Sequence, residues 1–589
     1  RRRYWIQIIK DAVLFVLLTS IQWMPTLEFI QKSARNVDPT AWQKEDWFYP
    51  YKHFVNFIAP DYFGNPATYN YWGVWNYGEF ASYIGIPALI FAFSIIFRYL
   101  LDNYQKLPHK KSDALDIVKE NTGVGFFLIA LFINLILITK NPLTVAFYTY
   151  NIPFLASTQP SRGIAIVDFA LVILASVGCN EVFKSLSKNG KHTQSVSTFK
   201  HMLLSATLVL GALCFLWITT LTKSTLISST LEKLPDLDIF QISRSNLILP
   251  TLLIILTIII LSISIFHTSK HKSQNSISKV IILFYALLIL TVFDQGRFFF
   301  KFQSFSPKNL LYPDTPIFNE LKNNHTSRYM TDDNRIMAPN LNIPYKMHTA
   351  EGYDPLYFNR YGQLVGMWER NSSDLTPFPA NRIITPHNTD SIIADISSIN
   401  YLMSFKDLPK YQKIDEFGLT KLYQKDTALP RVSVLAAMRG FKSDQDLANY
   451  MFSKQFDPRT EGLVLIKDKL TFDVPDNGYY LFMGARNAKA QITEYSPNKV
   501  VIKANLLDMP GLVYLADTYD EGWKATVDNI PTTVSKVNFN FRGVNTPVGD
   551  HTITMTYMPN SFIYGLYFSL LGIILTIFTI FFQKAIKNK

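Results

Sequence analysis

The sequence predicts a polytopic α-helical membrane protein with a large extracytoplasmic α+β and β-sandwich domain inserted before the last span. Three observations predict it. About eight apolar stretches have the length a helix needs to cross a ~30 Å hydrocarbon core. They fall near 10–30, 83–101, 123–139, 163–183, 201–222, 247–266, 279–298 and 562–583. A polar segment of roughly 260 residues separates the last two, too long for a connecting loop. Basic residues alternate with the spans: about 19 lie in roughly 70 positions on one side, against about 9 in roughly 100 positions on the other. That bias places both ends of this chain in the cytoplasm and residues 299–561 outside. The net charge of +12 then needs no nucleic acid to explain it, because much of it faces anionic headgroups from the inner loops.

The membrane domain is expected over 1–298, seven spans joined by loops of unequal character. The chain opens Arg1-Arg2-Arg3, which reads as the start of a truncated product. A signal peptide does not fit, since the first apolar run is long and ends in Gln22-Trp23-Met24-Pro25 with no small-residue cleavage site. The aromatic outer loop 31–82 carries Trp42, Trp47, Tyr49, Phe63, Trp72 and Tyr77 among others. Such rings collect at headgroup level; they also make a lid whose faces, Trp72 included, stack on a sugar or lipid-linked substrate. The two readings are compatible. Asp61, in Pro60-Asp61-Tyr62-Phe63-Gly64, and Glu79 are the loop's candidate general bases, with a turn or cap role as the alternative for Asp61. Lys140-Asn141-Pro142 predicts a helix that ends at the outer surface and a second helix lying along it. Arg162 follows at a helix N-terminus, where a cation is favoured only if an anion lies nearby. It is a candidate phosphate contact, or an arginine snorkelling to headgroups. Arg35 is a similar candidate outside the first span. Asp168 and Asn134 fall within spans, where ionisable and polar groups point to function.

The outer domain divides in two. Residues 299–430 carry a helix-like run at Asp390–Ile399 and strand-like Tyr401–Phe405 and Leu419–Tyr423, an α+β part. Residues 431–561 alternate as strands, at Val500–Ala504, Gly511–Ala516, Lys524–Val527 and His551–Tyr557, a β-sandwich. Ser443–Asp446 resembles a capping box between them. Residues 562–589 are the last span and a basic cytoplasmic tail. Both cysteines, Cys179 and Cys214, lie in expected spans, so the outer domain depends on core burial rather than disulfides. No phosphate-binding loop, zinc-ligand spacing or hydrolase elbow is present. No cofactor is implied and no metal site is assigned, with a divalent cation left open.

Phe57-Ile58-Ala59-Pro60-Asp61-Tyr62-Phe63-Gly64, then Tyr71-Trp72-Gly73 and Tyr83-Ile84-Gly85-Ile86-Pro87, resemble the bacterial YfhO-like membrane proteins. So do Glu351–Leu356 with Arg360-Tyr361, Ala428-Leu429-Pro430-Arg431, and Asp517-Thr518-Tyr519 with Gly522-Trp523, Asp528, Arg542-Gly543-Val544, Gly549, His551 and Tyr557-Met558-Pro559. The resemblance implies a GT-C-type glycosyltransferase that takes a sugar from a polyprenyl phosphate and glycosylates an envelope polymer or other acceptor outside the cell. It makes Asp61 and Glu79 acceptor-side candidates and Arg35 and Arg162 phosphate contacts. It also places the main catalytic carboxylate in an outer loop that precedes this fragment. Tyr353, Asp354, Asp517 and Trp523 read mainly as structural.

Two other functions compete. One is a non-catalytic scaffold whose sandwich binds envelope polysaccharide; the other is a transporter or flippase for a lipid-linked sugar, which internal repeats would favour. The discriminating expectation is geometric. Transfer chemistry requires Asp61, Glu79, Arg35 and Arg162 to converge on one cavity with a lipid-sized groove beside it. The expected partners are membrane lipid, a polyprenyl-phosphate sugar and an envelope acceptor, with no nucleic acid.

Overall fold

The computed structural model describes residues 2–34, 41–74, 76–105, 122–152, 155–156, 158–186, 192–224, 238–270, 274–303, 305–323, 326–378, 382–468, 479–481, 488–507 and 509–587. They form two compact units, Pro39–Ser306 and Arg1–Asp38 with Pro307–Lys589. The long helices, with one short apolar one, are α1 Arg2–Leu18, α2 Ser20–Lys32, α3 Ile86–Gln105, α4 Thr122–Ile138, α5 Pro142–Thr149, α6 Ile164–Leu186, α7 His192–Leu221, α8 Ile239–Lys270, α9 Gln274–Phe302 and α10 Asn560–Lys587. Among the described residues five are long and apolar enough to cross a membrane: α6, α7, α8, α9 and α10. The number rises to seven if the bent pairs α1–α2 (68°) and α4–α5 (59°) each count as one span. The stretch expected at 83–101 is α3, whose apolar part Ile86–Leu100 is shorter.

In the unit 39–306, α3 packs on α6 and α7, α4 on α6, and α8 on α7 and α9. Leu89, Ile90, Val167, Leu174, Leu213, Leu247 and Ile254 fill the centre. Lipid supplies no hydrophobic drive between such helices, so small residues that let backbones approach decide the close contacts. Gly178 on α6 is one: a Cβ there would sit 2.3 Å from the Phe91 carbonyl oxygen of α3. The α4–α5 bend is held by Asn141. Its side chain accepts from the Leu143 and Thr144 amides, and Thr144 Oγ1 accepts from the Asn141 amide in return. That reciprocal cap satisfies the orphan donors at the start of α5.

In the other unit, α1 and α2 meet at Thr19 and pack against α10. A break inside an apolar run frees backbone groups that lipid cannot satisfy. Ser569 of α10 supplies a partner, its hydroxyl accepting from the Ile21 amide at 3.0 Å. Ser20 Oγ in turn donates to the Gly565 carbonyl at 2.9 Å. Pro25 lies inside α2 without ending it.

Between α2 and α10 the chain builds sheets. A mixed five-stranded sheet runs His348–Thr349, Arg328–Thr331, Ile399–Ser404, Thr420–Gln424, Gln412–Phe417 in spatial order. A four-stranded antiparallel sheet (Ser535–Val537, Phe541–Thr546, Gly511–Thr518, Val432–Leu435) faces a five-stranded one (Lys489–Ser496, Lys499–Leu506, Gly549–Tyr557, Trp523–Val527, Ile530–Thr532). Alternate residues Val500, Ile502, Ala504 and Leu506 meet Val513, Leu515 and Val544 in one core, a sandwich. The opposite face, Leu512, Tyr514 and Ala516, enters a second core with Trp368 and Leu463. Strand Gly511–Thr518 is therefore buried on both faces, which is why it reads as a continuous apolar run. Ser443 does cap the helix Asp444–Met451, accepting from the Asp446 amide.

Candidate functional site

The aromatic loop of the unit 39–306 folds as a small core of its own. Tyr49, Tyr62, Phe63, Trp72 and Phe80 are buried, and the His53 ring stacks on Phe63 at 4.3 Å. Burial pulls the His53 imidazole down to about 3, so it is neutral at physiological pH. Trp72 packs at 4.8 Å from Phe63, and among the described residues the loop's exposed rings are instead Tyr51 and Tyr69.

This core sets out a polar strip along residues 77–86. Asp61, 6% exposed, accepts from Asn65 Nδ2 (2.7 Å) and Tyr77 OH (3.0 Å) through Oδ1 and pairs with Lys301 through Oδ2 at 2.8 Å. Its carbonyl accepts from Asn246 of α8. Two residues past Tyr77, Glu79 takes both prongs of Arg162, at 2.9 and 3.1 Å. Ser82 donates to Asp168 at 2.6 Å. Tyr83 OH donates to Asp294 at 2.6 Å, and the Ile86 amide donates to the same oxygen. Arg297 stands 3.7 Å from Asp294. The strip thus joins the starts of α3, α6 and α8 to the last turns of α9, so these groups gather at one end of the helices. Asp61, Glu79 and Arg162 fall in it together, linked through the Tyr77–Glu79 turn; Trp72 lies in the loop core, and Arg35 lies outside the described residues. Lys301, Asn246 and Asp294 are members that the loop's own sequence does not announce. An open apolar groove of about 420 Å³ adjoins the loop, lined by Phe54, Val55, Ile58, Phe215 and Leu216.

A second polar centre lies in the unit that contains the sandwich. Asp517 interrupts the doubly buried strand Gly511–Thr518 and is 3% exposed. Three guanidiniums converge on it. Arg328 Nη2 (2.6 Å) and Arg431 Nε (3.0 Å) donate to Oδ1, and Arg542 Nη2 stands 3.2 Å from Oδ2. Burial works to raise this carboxyl, but Arg431, Arg328 and Arg542 outweigh it and hold it well below the usual range. Arg431 lies over the Tyr495 ring at 4.3 Å and Arg542 over Trp523 at 3.8 Å. Arg328, Arg542 and Trp523 line a cavity of about 670 Å³ that reaches the ends of α2 and α10. Three of the stretches quoted above for their family resemblance carry Arg431, Asp517 and Arg542. That clustering was the available signal.

Among the described residues no group of three or more His, Cys, Asp and Glu is placed to hold a metal ion.

Apolar spans together with a sheet-rich C-terminal region define a multi-pass membrane protein carrying a β domain. Residues 480–569 match the family described as bacterial membrane protein YfhO, which bears out the YfhO-like resemblance. The match covers the sandwich from Tyr480 onward, including Asp517, Trp523 and Arg542, and the first turns of α10. No curated protein and no solved structure matches the chain.

Proposed function

We propose that this protein is a membrane glycosyltransferase that moves a sugar from a polyprenyl phosphate to an envelope polymer or other acceptor on the outer face of the membrane. The carrying observation is the gathering of Asp61, Glu79 and Arg162 in one strip at one end of the helices, built on a loop whose residues Phe54, Val55 and Ile58 also line an apolar groove. With α3 crossing as an eighth span, the positive-inside bias favours both ends of the chain in the cytoplasm and 299–561 outside, which turns that strip outward. In the reaction an acceptor hydroxyl oxygen bonds to the anomeric carbon, the bond from that carbon to the phosphate oxygen breaks, and the polyprenyl phosphate leaves with the electron pair. The hydroxyl proton passes to a carboxylate, Glu79 or Asp61. Arg162, about half exposed, meets the charge on the departing phosphate when it turns from Glu79, and the groove takes the first isoprene units.

One observation favours the scaffold reading: both Asp61 oxygens are already engaged, by Asn65, Tyr77 and Lys301. The test supplies membranes carrying the protein with radiolabelled polyprenyl-phosphate sugars and envelope acceptor. Label reaching the acceptor, reduced about 100-fold or more in Glu79→Gln or Asp61→Asn and in Arg162→Ala, is the expected result. Transfer indifferent to all three moves the chemistry out of this strip. No transfer from any donor, with folded protein, leaves polysaccharide binding as the function.

A further inference from the structure

The arginine cluster is not balanced by the chain that builds it. Arg328, Arg431 and Arg542 share the single carboxylate of Asp517. The other carboxylates lining the cavity, Glu28 and Asp520, are both taken by Lys32, at 2.7 and 2.9 Å. Two of the guanidiniums are further engaged. Arg328 also donates to the Ser397 and Ala516 carbonyls, and Arg431 to Tyr495 OH. Arg542 is not. It is 4% exposed, Nε reaches the Asp517 carbonyl only at 3.4 Å, and Nη1 is buried with no hydrogen-bond partner, as is Asp517 Oδ2. Burial draws its guanidinium down despite Asp517, and the neighbouring arginines add to the effect. Three buried guanidiniums on one carboxylate leave an excess of positive charge, and a planar guanidinium fork fits phosphate oxygens in pairs.

We propose that the cavity bounded by Arg542, Arg328 and Trp523 binds a phosphate-bearing headgroup, with Arg542 taking the phosphate oxygens. Trp523 and Tyr557, whose rings lie 5.3 Å apart, and Phe29 and Phe358 give the rest of the cavity an apolar wall for a glycerol or sugar moiety. Its position favours a membrane source. Pro25 and Phe29 of α2 and Pro559 and Ser561 at the start of α10 also line it, and α10 is one of the helices long enough to span. The cavity therefore opens at the depth where phospholipid headgroups begin. The inference does not rest on sugar transfer, and its test reads binding alone.

Full-length protein in a phosphate-free maltoside detergent is titrated with short-chain phosphatidylglycerol and, separately, with inorganic phosphate. Thermal unfolding and native mass spectrometry are the readouts. The expected result is saturable binding that raises the unfolding temperature, weakened about tenfold or more in Arg542→Lys, which keeps the charge but loses the fork. Lys32→Gln weakens it as well, because Glu28 and Asp520 are then left to repel an anion in the same cavity. Being partly exposed, Lys32 keeps the proposal testable if Arg542→Lys does not fold. Response to the lipid alone assigns a membrane headgroup; response to both ligands shows that phosphate suffices and the source is open to soluble esters. No binding by folded wild-type protein, or equal affinity in wild type and both variants, overturns the proposal.

Discussion

Glu351 makes a pH-dependent test of the packing around strand Arg328–Thr331. It is 8% exposed, and one carboxyl oxygen accepts from both the amide and the hydroxyl of Thr331. Among the described residues no cation pairs with it. Burial raises the carboxyl to about 7, against the smaller lowering by Thr331. The folded value lies above the unfolded one, so the folded state holds the proton more tightly. The stability this contributes is fully present below the ordinary range near 4.5 and is lost as pH rises through about 7. At about 1.4 kcal/mol per unit, the loss approaches roughly 3 kcal/mol at pH 8. Glu351→Gln retains an acceptor for Thr331 and places an NH₂ where the protonated acid has its O–H. The variant should match wild type near pH 4.5 and exceed it by up to roughly 3 kcal/mol at pH 8, a rise of several degrees in unfolding temperature. Every other group titrates alike in both proteins, so the difference between their thermal melts in detergent isolates this one. A difference that stays flat between pH 5 and 8, or a Gln variant less stable at pH 8, refutes the argument.

Other perturbations follow from the same geometry. Asp517→Asn leaves three buried guanidiniums without an anion and should cost about 3–5 kcal/mol in chemical unfolding at pH 7; a loss below 1 kcal/mol would mean that water reaches the cluster. Because the folded Asp517 carboxyl is depressed, its contribution is complete above the ordinary value near 3.9 and fades as pH falls below it, so the wild-type advantage over Asp517→Asn should shrink in acid. Gly178→Val forces α6 off the Phe91 carbonyl and should cost about 1–3 kcal/mol in detergent melts. Gly565→Leu, placed 2.6 Å from the Ser20 carbonyl, should separate α10 from the α1–α2 break and expose that break to protease.

Five of the eight expected spans were legible as single helices because hydropathy is a local property: a run such as Ile254–Ile260 needs no distant partner to be apolar. The break at Thr19 was not. It lies inside an apolar run, the one proline nearby is tolerated in α2, and the group that satisfies the freed backbone is Ser569, more than 500 positions away in sequence. The strands of the sandwich could be read where one face is buried, as in Val500–Leu506, and the sandwich followed from them. In the polar sites, Asp61, Glu79 and Arg162 stood out because a loop at a span end is a small place to search. Lys301 and Asn246 did not, since they reach the Asp61 turn from the last turn of α9 and the second turn of α8, far away in sequence. Asp517 was read as structural, and so it is in part. What sequence order hides is that Arg328, Arg431 and Arg542 occupy three different strands or strand starts whose register brings their side chains to one carboxylate.

The two polar centres differ in a way that separates their chemistry. Along the 77–86 strip each carboxylate has its own partner: Lys301 for Asp61, Arg162 for Glu79, Ser82 for Asp168, Tyr83 for Asp294. Arg162, about half exposed, can turn from Glu79 at small cost, whereas Asp61 and Asp294 are buried and their pairs cost more to break. The Asp517 cluster cannot be read that way, nor as a device for stability. A buried ion pair about breaks even against apolar residues of the same volume, and a second and third guanidinium on one carboxylate add desolvation and mutual repulsion without adding a counter-charge. An apolar strand of the Leu512–Ala516 kind, continued through position 517, would pack at least as well. The cluster makes physical sense as one part of a neutral assembly whose missing part is an anion, with Arg542 its contact on the cavity wall.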